Sequence, residues 1–291
     1  MYRTLSWVFS LSLLTATGAT WTSRDVWAAD VFYTNDMESG IGDLPNHGGC
    51  YDYSFATVTS PVRAGSHALR VINKGGEDNM NCSGVRKTTQ HRAQLTLGDK
   101  TFFNPAGVKF WIGFSVFVPS DYPENGYPSG DNGEVIAAQN NAGPTGPEWG
   151  LYLRKGQSWR FKTTTNTSGQ ATVFTVPVTK GEWMDFVIYY KRSWTGDGEQ
   201  TVWVNGVQKY RVTKSNTAHN YPAGSSNQFT PGIYWTDPPR PGKVLTLYFD
   251  SFKFAKGDNG YDLVAPNGRA ANLQEPVGPP PPPDGVQITL E

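Results

Sequence analysis

Arg92, Gln139, Asn141 and Tyr234 are the side chains of this sequence whose types suit one particular reaction, the removal of a proton beside a carboxylate. That reaction builds negative charge on the carboxylate oxygens, which a guanidinium and two side-chain amides can neutralise. A phenol can move the proton. The four residues lie in three short stretches: Arg92-Ala93-Gln94-Leu95, Val135-Ile136-Ala137-Ala138-Gln139-Asn140-Asn141 and Phe229-Thr230-Pro231-Gly232-Ile233-Tyr234. Taken singly each has a plainer reading: a salt-bridged arginine, amides that cap a loop, a tyrosine at the edge of a core. Their co-occurrence, in this order and in one domain, favours the chemical reading.

Strands must position them, because polar and apolar residues alternate in each stretch. In Gln90–Leu97 the even positions Gln90, Arg92, Gln94 and Thr96 are expected to face a groove. His91, Ala93, Leu95 and Leu97 are expected to face a core. Gln139 and Asn141 share a face, opposite Ala138 and Asn140. Lys155-Gly156-Gln157 reads as a hairpin turn. It joins Leu151–Arg154 to Trp159–Thr163, which puts Tyr152, Arg154, Arg160 and Lys162 on one face. Such a face suits substrate binding to an anionic sugar chain: cations pair with carboxylates and rings stack on sugars.

The rest of the chain fits an all-β domain. It has 291 residues with 32 Gly and 21 Pro, 13% aromatic residues and no long helical period. Further strands are expected around Phe32-Tyr33 and over Ser66–Ile72, Val108–Val118, Trp183–Tyr190, Gln200–Val204 and Val244–Asp250. At least eight strands without an internal repeat predict a two-sheet jelly-roll sandwich. The formal net charge of 0 argues against a nucleic-acid binder.

Both ends read as accessory. Arg3, the apolar run Leu5–Leu14 and Val26-Trp27-Ala28 make residues 1–28 a signal peptide, the run itself being too short to span a bilayer; an uncleaved membrane anchor is the alternative. The expected location is secreted or periplasmic, with no membrane association after cleavage. Cys50 and Cys82 are then expected to form one disulfide, two free thiols being the alternative. Pro279–Pro283 is stiff polyproline II, so residues 269–291 read as a Pro-rich tail or linker. Residues 29–268 remain as one domain.

The histidines are weaker candidates. His91 adjoins Arg92 but has core parity, and His47 lies in the Gly-rich stretch Asn46–Cys50, read as a flexible loop. No metal-site spacing, phosphate loop or nucleophile elbow occurs. A structural calcium could sit at Asp131–Glu134 or Asp258–Gly260, although Asx-Gly turns explain both without metal.

With those residues in view, the order of motifs resembles the jelly-roll polysaccharide lyases, the group of alginate, heparin I-like and glucuronan lyases. Their strands read approximately R-[ST]-E-L, Q-[IV]-H and Y-F-K-x-G-x-Y. Here they read Arg92-Ala93-Gln94-Leu95, Gln139-Asn140-Asn141 and Gln228-Phe229-Thr230-Pro231-Gly232-Ile233-Tyr234. Trp111–Pro119, Lys180–Phe186 and Trp203–Gly206 are similar to framework strands of that group. Three positions depart from the pattern: Gln94 for glutamate, Thr230 for lysine and Asn141 for histidine.

The resemblance implies a concanavalin-like sandwich with a groove on its concave sheet, and a monomer that cleaves a uronic-acid polysaccharide by β-elimination. Arg92, Gln139 and Asn141 would neutralise the substrate carboxylate and Tyr234 would move the proton. Gln94, Tyr152, Arg154, Arg160 and Lys162 would hold the chain. No metal and no organic cofactor is required. A free tyrosine has a pKa of about 10, so Arg92 must favour its phenolate. The competing readings are a non-catalytic protein that binds anionic carbohydrate, and a sandwich-fold glycoside hydrolase. The hydrolase needs paired carboxylates. Glu134, Glu148, Asp185, Asp237 and Asp250 exist, but no E-x-D-x-x-E spacing joins them.

Overall fold

The computed structural model describes residues 28–41, 44, 46–49, 51–75, 91–97, 107–124, 134–141, 147–164, 170–215, 228–235 and 242–268. These form two antiparallel sheets packed face to face. One contains β1 (Asp30–Asn35), β3 (Phe55–Val58), β4 (Ala68–Lys74), β6 (Lys109–Phe117), β11 (Trp183–Lys191), β12 (Gly198–Val204), β13 (Val207–Ser215) and β15 (Val244–Lys256). Its order is β13-β12-β11-β6-β15-β4-β3, with β1 also on β15. The other contains β2 (Asn46–Gly48), β5 (His91–Leu95), β7 (Glu134–Asn141), β8 (Pro147–Arg154), β9 (Ser158–Thr164), β10 (Gln170–Pro177) and β14 (Gln228–Trp235), in the order β10-β9-β8-β7-β14-β5-β2. The all-β sandwich of the sequence reading is the observed fold.

Aromatic residues from alternate positions fill the space between the sheets. Phe114 of β6 meets Phe229 of β14 with ring centroids 5.3 Å apart, and Trp159 of β9 meets Phe186 of β11 edge-on at 5.7 Å. All four are fully buried, and each such side chain contributes on the order of 2–3 kcal/mol through burial. The hairpin turn read at Lys155-Gly156-Gln157 forms between the paired Arg154 and Ser158, with Lys155 and Gly156 at positive φ (51° and 64°). Asn205 and Gly206 (φ 50° and 82°) make a two-residue hairpin turn between the paired Val204 and Val207.

Two expectations need correction. The last strand continues from Asp250 to Lys256. Ser251 takes a left-handed φ of 59° and the register with β6 slips between Asp250 and Lys253, so a bulge carries the strand past a point where alternation breaks. Residues 46–48 are an edge strand on β5, not a loop. Three residues containing glycine are too short to show any alternation.

The outer face of the eight-stranded sheet is occupied. Trp111, Tyr189 and Trp203 lie beneath Tyr261 and Val264 of α1 (Tyr261–Val264). Beyond them the loop before β4 is clamped: Arg63 donates to both oxygens of Asp185 at 2.9 and 2.7 Å, and the Arg63 and Ala64 amides donate to Asp250. That leaves the outer face of the seven-stranded sheet to carry a site.

The same loop holds a pH-sensitive contact. The Ser66 amide donates to Glu38 at 2.7 Å, the His67 amide at 2.9 Å, and His67 Nδ1 lies 3.2 Å from the other oxygen. These bonds, the Ser66 amide foremost, lower the Glu38 pKa from 4.5 to about 2. A depressed carboxylate pKa stabilises the fold above the unfolded value and loses that contribution as pH falls through the folded one. Glu38→Gln is therefore expected to lower the thermal midpoint at neutral pH, with the deficit shrinking between about pH 4.5 and pH 2. Circular dichroism melts across that range measure it; a deficit independent of pH would contradict the assignment.

Candidate active site

Tyr234 and Arg92 are cross-strand partners on β14 and β5. The Arg92 guanidinium carbon lies 4.2 Å from the centroid of the Tyr234 ring. Burial pulls the Arg92 pKa down from its ordinary value; the charge of a Tyr234 phenolate and a hydrogen bond to Tyr234 oppose that effect. The two side chains thus form one unit, a cation over a half-buried phenol.

On its other edge β14 pairs with β7, Thr230 opposite Gln139 and Gln228 opposite Asn141. Gln139 also stands opposite Gly150 of β8. Register alone therefore places positions 139 and 141 on the sheet face that carries Thr230, two and four residues before Gly232 and Tyr234 on β14. Ala138, next to Gln139 in the chain, is fully buried in the core, as is Ala137, at the point where the register with β8 shifts.

A bulge links the two edges. Pro231 pairs with Ala138 and Tyr234 with Ile136, so three steps along β14 match two along β7. Proline has no N–H for a central ladder, and a bulge is where a sheet tolerates it. Gly232 takes φ 139°, and a Cβ there would lie 2.1 Å from the Ala93 carbonyl oxygen. No other residue type allows β5 and β14 to approach so closely. Pro231-Gly232 thereby sets Tyr234 against Arg92.

Gln94 shares the groove-side parity of Arg92 but has no exposed surface. This corrects its expected role in substrate contact. Its Nε2 donates to the Thr230 carbonyl at 3.4 Å, and Thr230 is itself fully buried. Two of the positions that depart from the family pattern, Gln94 and Thr230, therefore touch one another beneath the groove. Gly48 of β2 lies against the Arg92 side chain, where an added Cβ would stand 3.0 Å from Arg92 Cγ and Cδ. The sequence offered no sign of that role, since Gly48-Gly49 reads as a turn.

The far half of the face is cationic. Tyr152 stands opposite Arg160, and Gly150 opposite Lys162. Lys162 Nζ lies 4.2 Å above the Tyr152 ring, whose hydroxyl donates to Gln170 Oε1 at 2.8 Å. Gly150 lets the ring lie flat, because a Cβ there would be 2.7 Å from Tyr152 Cε2. Tyr152 is only 9% exposed, so the face presents the Lys162 amine where a bare ring was expected. Arg154 and Arg160 keep their predicted side.

Of the carboxylates weighed for hydrolysis, those whose side chains the structure describes are engaged in other contacts. Asp185 and Asp250 clamp the loop on the opposite sheet. Glu148 is fully buried and ion-paired with Arg192 at 2.7 Å. Asp258 pairs with Lys109. No cluster of three or more metal-ligating side chains occurs among the described residues. The side chains of His47, His91, Glu134, Gln139 and Asn141, and the whole of Cys50, Cys82, Asp131, His219 and Asp237, fall outside what the structure describes, as do residues 1–27 and 269–291.

A family model described as polysaccharide lyase matches residues 33–253. The endo-beta-1,4-glucuronan lyase from the fungus Trichoderma reesei superposes with a TM-score of 0.59 at 16% identity, over 82% of this chain and 99% of that one. A family 7 alginate lyase in complex with product gives 0.50 at 15% identity, over 72% and 86% of the two chains. These identities speak to the fold. No curated protein matches the chain in sequence.

Proposed function

The chain belongs to the polysaccharide lyase family matched by residues 33–253, and from that premise we propose that it cleaves a uronic-acid-containing polysaccharide by β-elimination. The observation that carries this reading is the Arg92–Tyr234 pair, with the guanidinium 4.2 Å from the ring centroid. A bulged strand holds it on the seven-stranded sheet.

The uronate C5 proton is acidic because its carboxylate can take up the electron pair left behind. Tyr234, as phenolate, accepts that proton. Arg92, Gln139 and Asn141 stabilise the charge that grows on the carboxylate oxygens, each such donor being worth about 3–4 kcal/mol. The pair then forms the C4–C5 double bond as the C4–O bond breaks. The leaving glycosidic oxygen takes a proton, from Tyr234 or from a second group. No redox partner enters this balance, and the reading invokes no metal or cofactor.

The cations Arg154, Arg160 and Lys162 hold further carboxylates of the chain. The hydrolase alternative loses support from the pairing of Glu148, Asp185 and Asp250 in structural contacts. The reading also takes residues 1–28 as a signal peptide, a secreted or periplasmic monomer, and a disulfide between Cys50 and Cys82. The test is absorbance of the new conjugated double bond on a panel of polyuronates and glycosaminoglycans. A rising signal on one polymer supports the reading and identifies the substrate; binding without signal would replace it with the carbohydrate-binding alternative.

A further inference from the structure

At the β2 end of the groove sheet a shallow, solvent-open depression lies beside Arg92. Gly49, Tyr51, Tyr53, Asn73 and Lys74 line it with Arg92. Arg92 apart, its residues lie outside the four catalytic candidates, and three of them, Ile72, Asn73 and Lys74, come from the opposite sheet.

Its chemistry is one-sided. Two cations line it and, among the described residues, no carboxylate does. Lys74 Nζ sits 3.7 Å above the Tyr53 ring. Tyr53 in turn stacks on Tyr51, centroids 5.1 Å apart and planes 7° from parallel. Asn73, 7% exposed, adds an amide to the lining. The Arg92 Nε is buried and meets no acceptor among the described residues. A cation, an amide and aromatic rings are the groups that recognise an acidic sugar, by charge-assisted hydrogen bonds and by stacking.

The backbone explains the placement. Gly49 takes φ 97°, and a Cβ there would stand 2.8 Å from the Ala93 Cα. The chain thus hugs β5 before turning into the tyrosine pair, which brings Tyr51 and Tyr53 beside Arg92.

We propose that this pocket is a subsite for the carboxylate of the uronosyl residue adjoining the one at Tyr234, with Lys74 as its cation and Tyr51 and Tyr53 as its aromatic wall. Arg92 borders both positions, stacking on Tyr234 while lining the pocket. The inference rests on the lyase reading and adds a residue that fixes substrate affinity without touching the reacting atoms.

The experiment compares the full chain with Lys74→Gln, Lys74→Arg and Tyr53→Leu on the polymer that gives the strongest absorbance signal. Loss of one charge-assisted bond predicts a KM about tenfold higher for Lys74→Gln, kcat within about twofold of wild type, and recovery in Lys74→Arg. Tyr53→Leu, a second route should Lys74→Gln misfold, raises KM in the same way. An unchanged KM in folded Lys74→Gln and Tyr53→Leu, with wild-type turnover intact, overturns the subsite and leaves the lyase reading standing. If wild type gives no absorbance signal on any polymer, the lyase reading falls. Calorimetric Kd values for the same polymers then decide the pocket: a tenfold weakening in Lys74→Gln sustains it, and equal affinity or no binding overturns it.

Discussion

Tyr234→Phe is expected to lower kcat by at least about 100-fold on the polymer the wild type cleaves, with KM changed little. Removing one oxygen deletes the proton carrier and, with it, the hydrogen bond between Tyr234 and Arg92. The ring remains in place for the Arg92 guanidinium, 4.2 Å from its centroid, and a ring without hydroxyl still attracts a cation. The groove should therefore bind substrate nearly as before. The effect falls on kcat because the lost interaction exists only where the proton moves. Thermal unfolding within a few degrees of wild type would exclude a folding defect. Full activity in this variant would remove Tyr234 from the mechanism and, with it, the main support for elimination at this site. Equal binding by wild type and variant, without turnover in either, would mean a carbohydrate-binding protein built on a lyase frame.

Alternation carried much of this architecture in plain view. Arg92 and Tyr234 could be assigned to one face because Ala93, Leu95, Phe229 and Ile233 mark the other, and those four are buried as expected. The hairpins at Lys155-Gly156 and Asn205-Gly206 announce themselves because few residue pairs accept two positive φ angles in succession. What alternation hides is depth. Gln94 has groove parity, but a central strand covered by neighbouring side chains can bury both of its faces, and Gln94 ends beneath the surface. Tyr152 is a similar case, since only the fold shows that Lys162 lies above its ring. The pocket at Tyr51, Tyr53 and Lys74 was not legible at all. It joins residues of two different sheets through glycines whose local signal is merely that of a turn.

Arg192→Leu is expected to cost about 3–5 kcal/mol of folding stability, the largest effect of any single change outside the groove. Arg192 and Glu148 are both fully buried, with Arg192 Nε donating to Glu148 Oε1 at 2.7 Å. The Tyr190 hydroxyl donates to the other carboxylate oxygen. Arg192 also lies 4.4 Å from the Trp194 ring centroid. Removing the arginine takes the counter-charge of this ion pair away from a fully buried carboxylate, and desolvation then opposes the fold. The pair also connects the sheets: Glu148 belongs to β8 and Tyr190 to β11. Pro147, its neighbour, pairs with Asn141, so the contact anchors the end of the strand that carries position 141. Replacing both partners, Arg192→Leu with Glu148→Leu, should recover most of the loss, since the buried charge leaves together with its partner. Urea unfolding of the two single variants and the double closes that cycle. A single Arg192→Leu cost below about 1 kcal/mol would mean that Glu148 does not depend on the Arg192 charge in the folded protein.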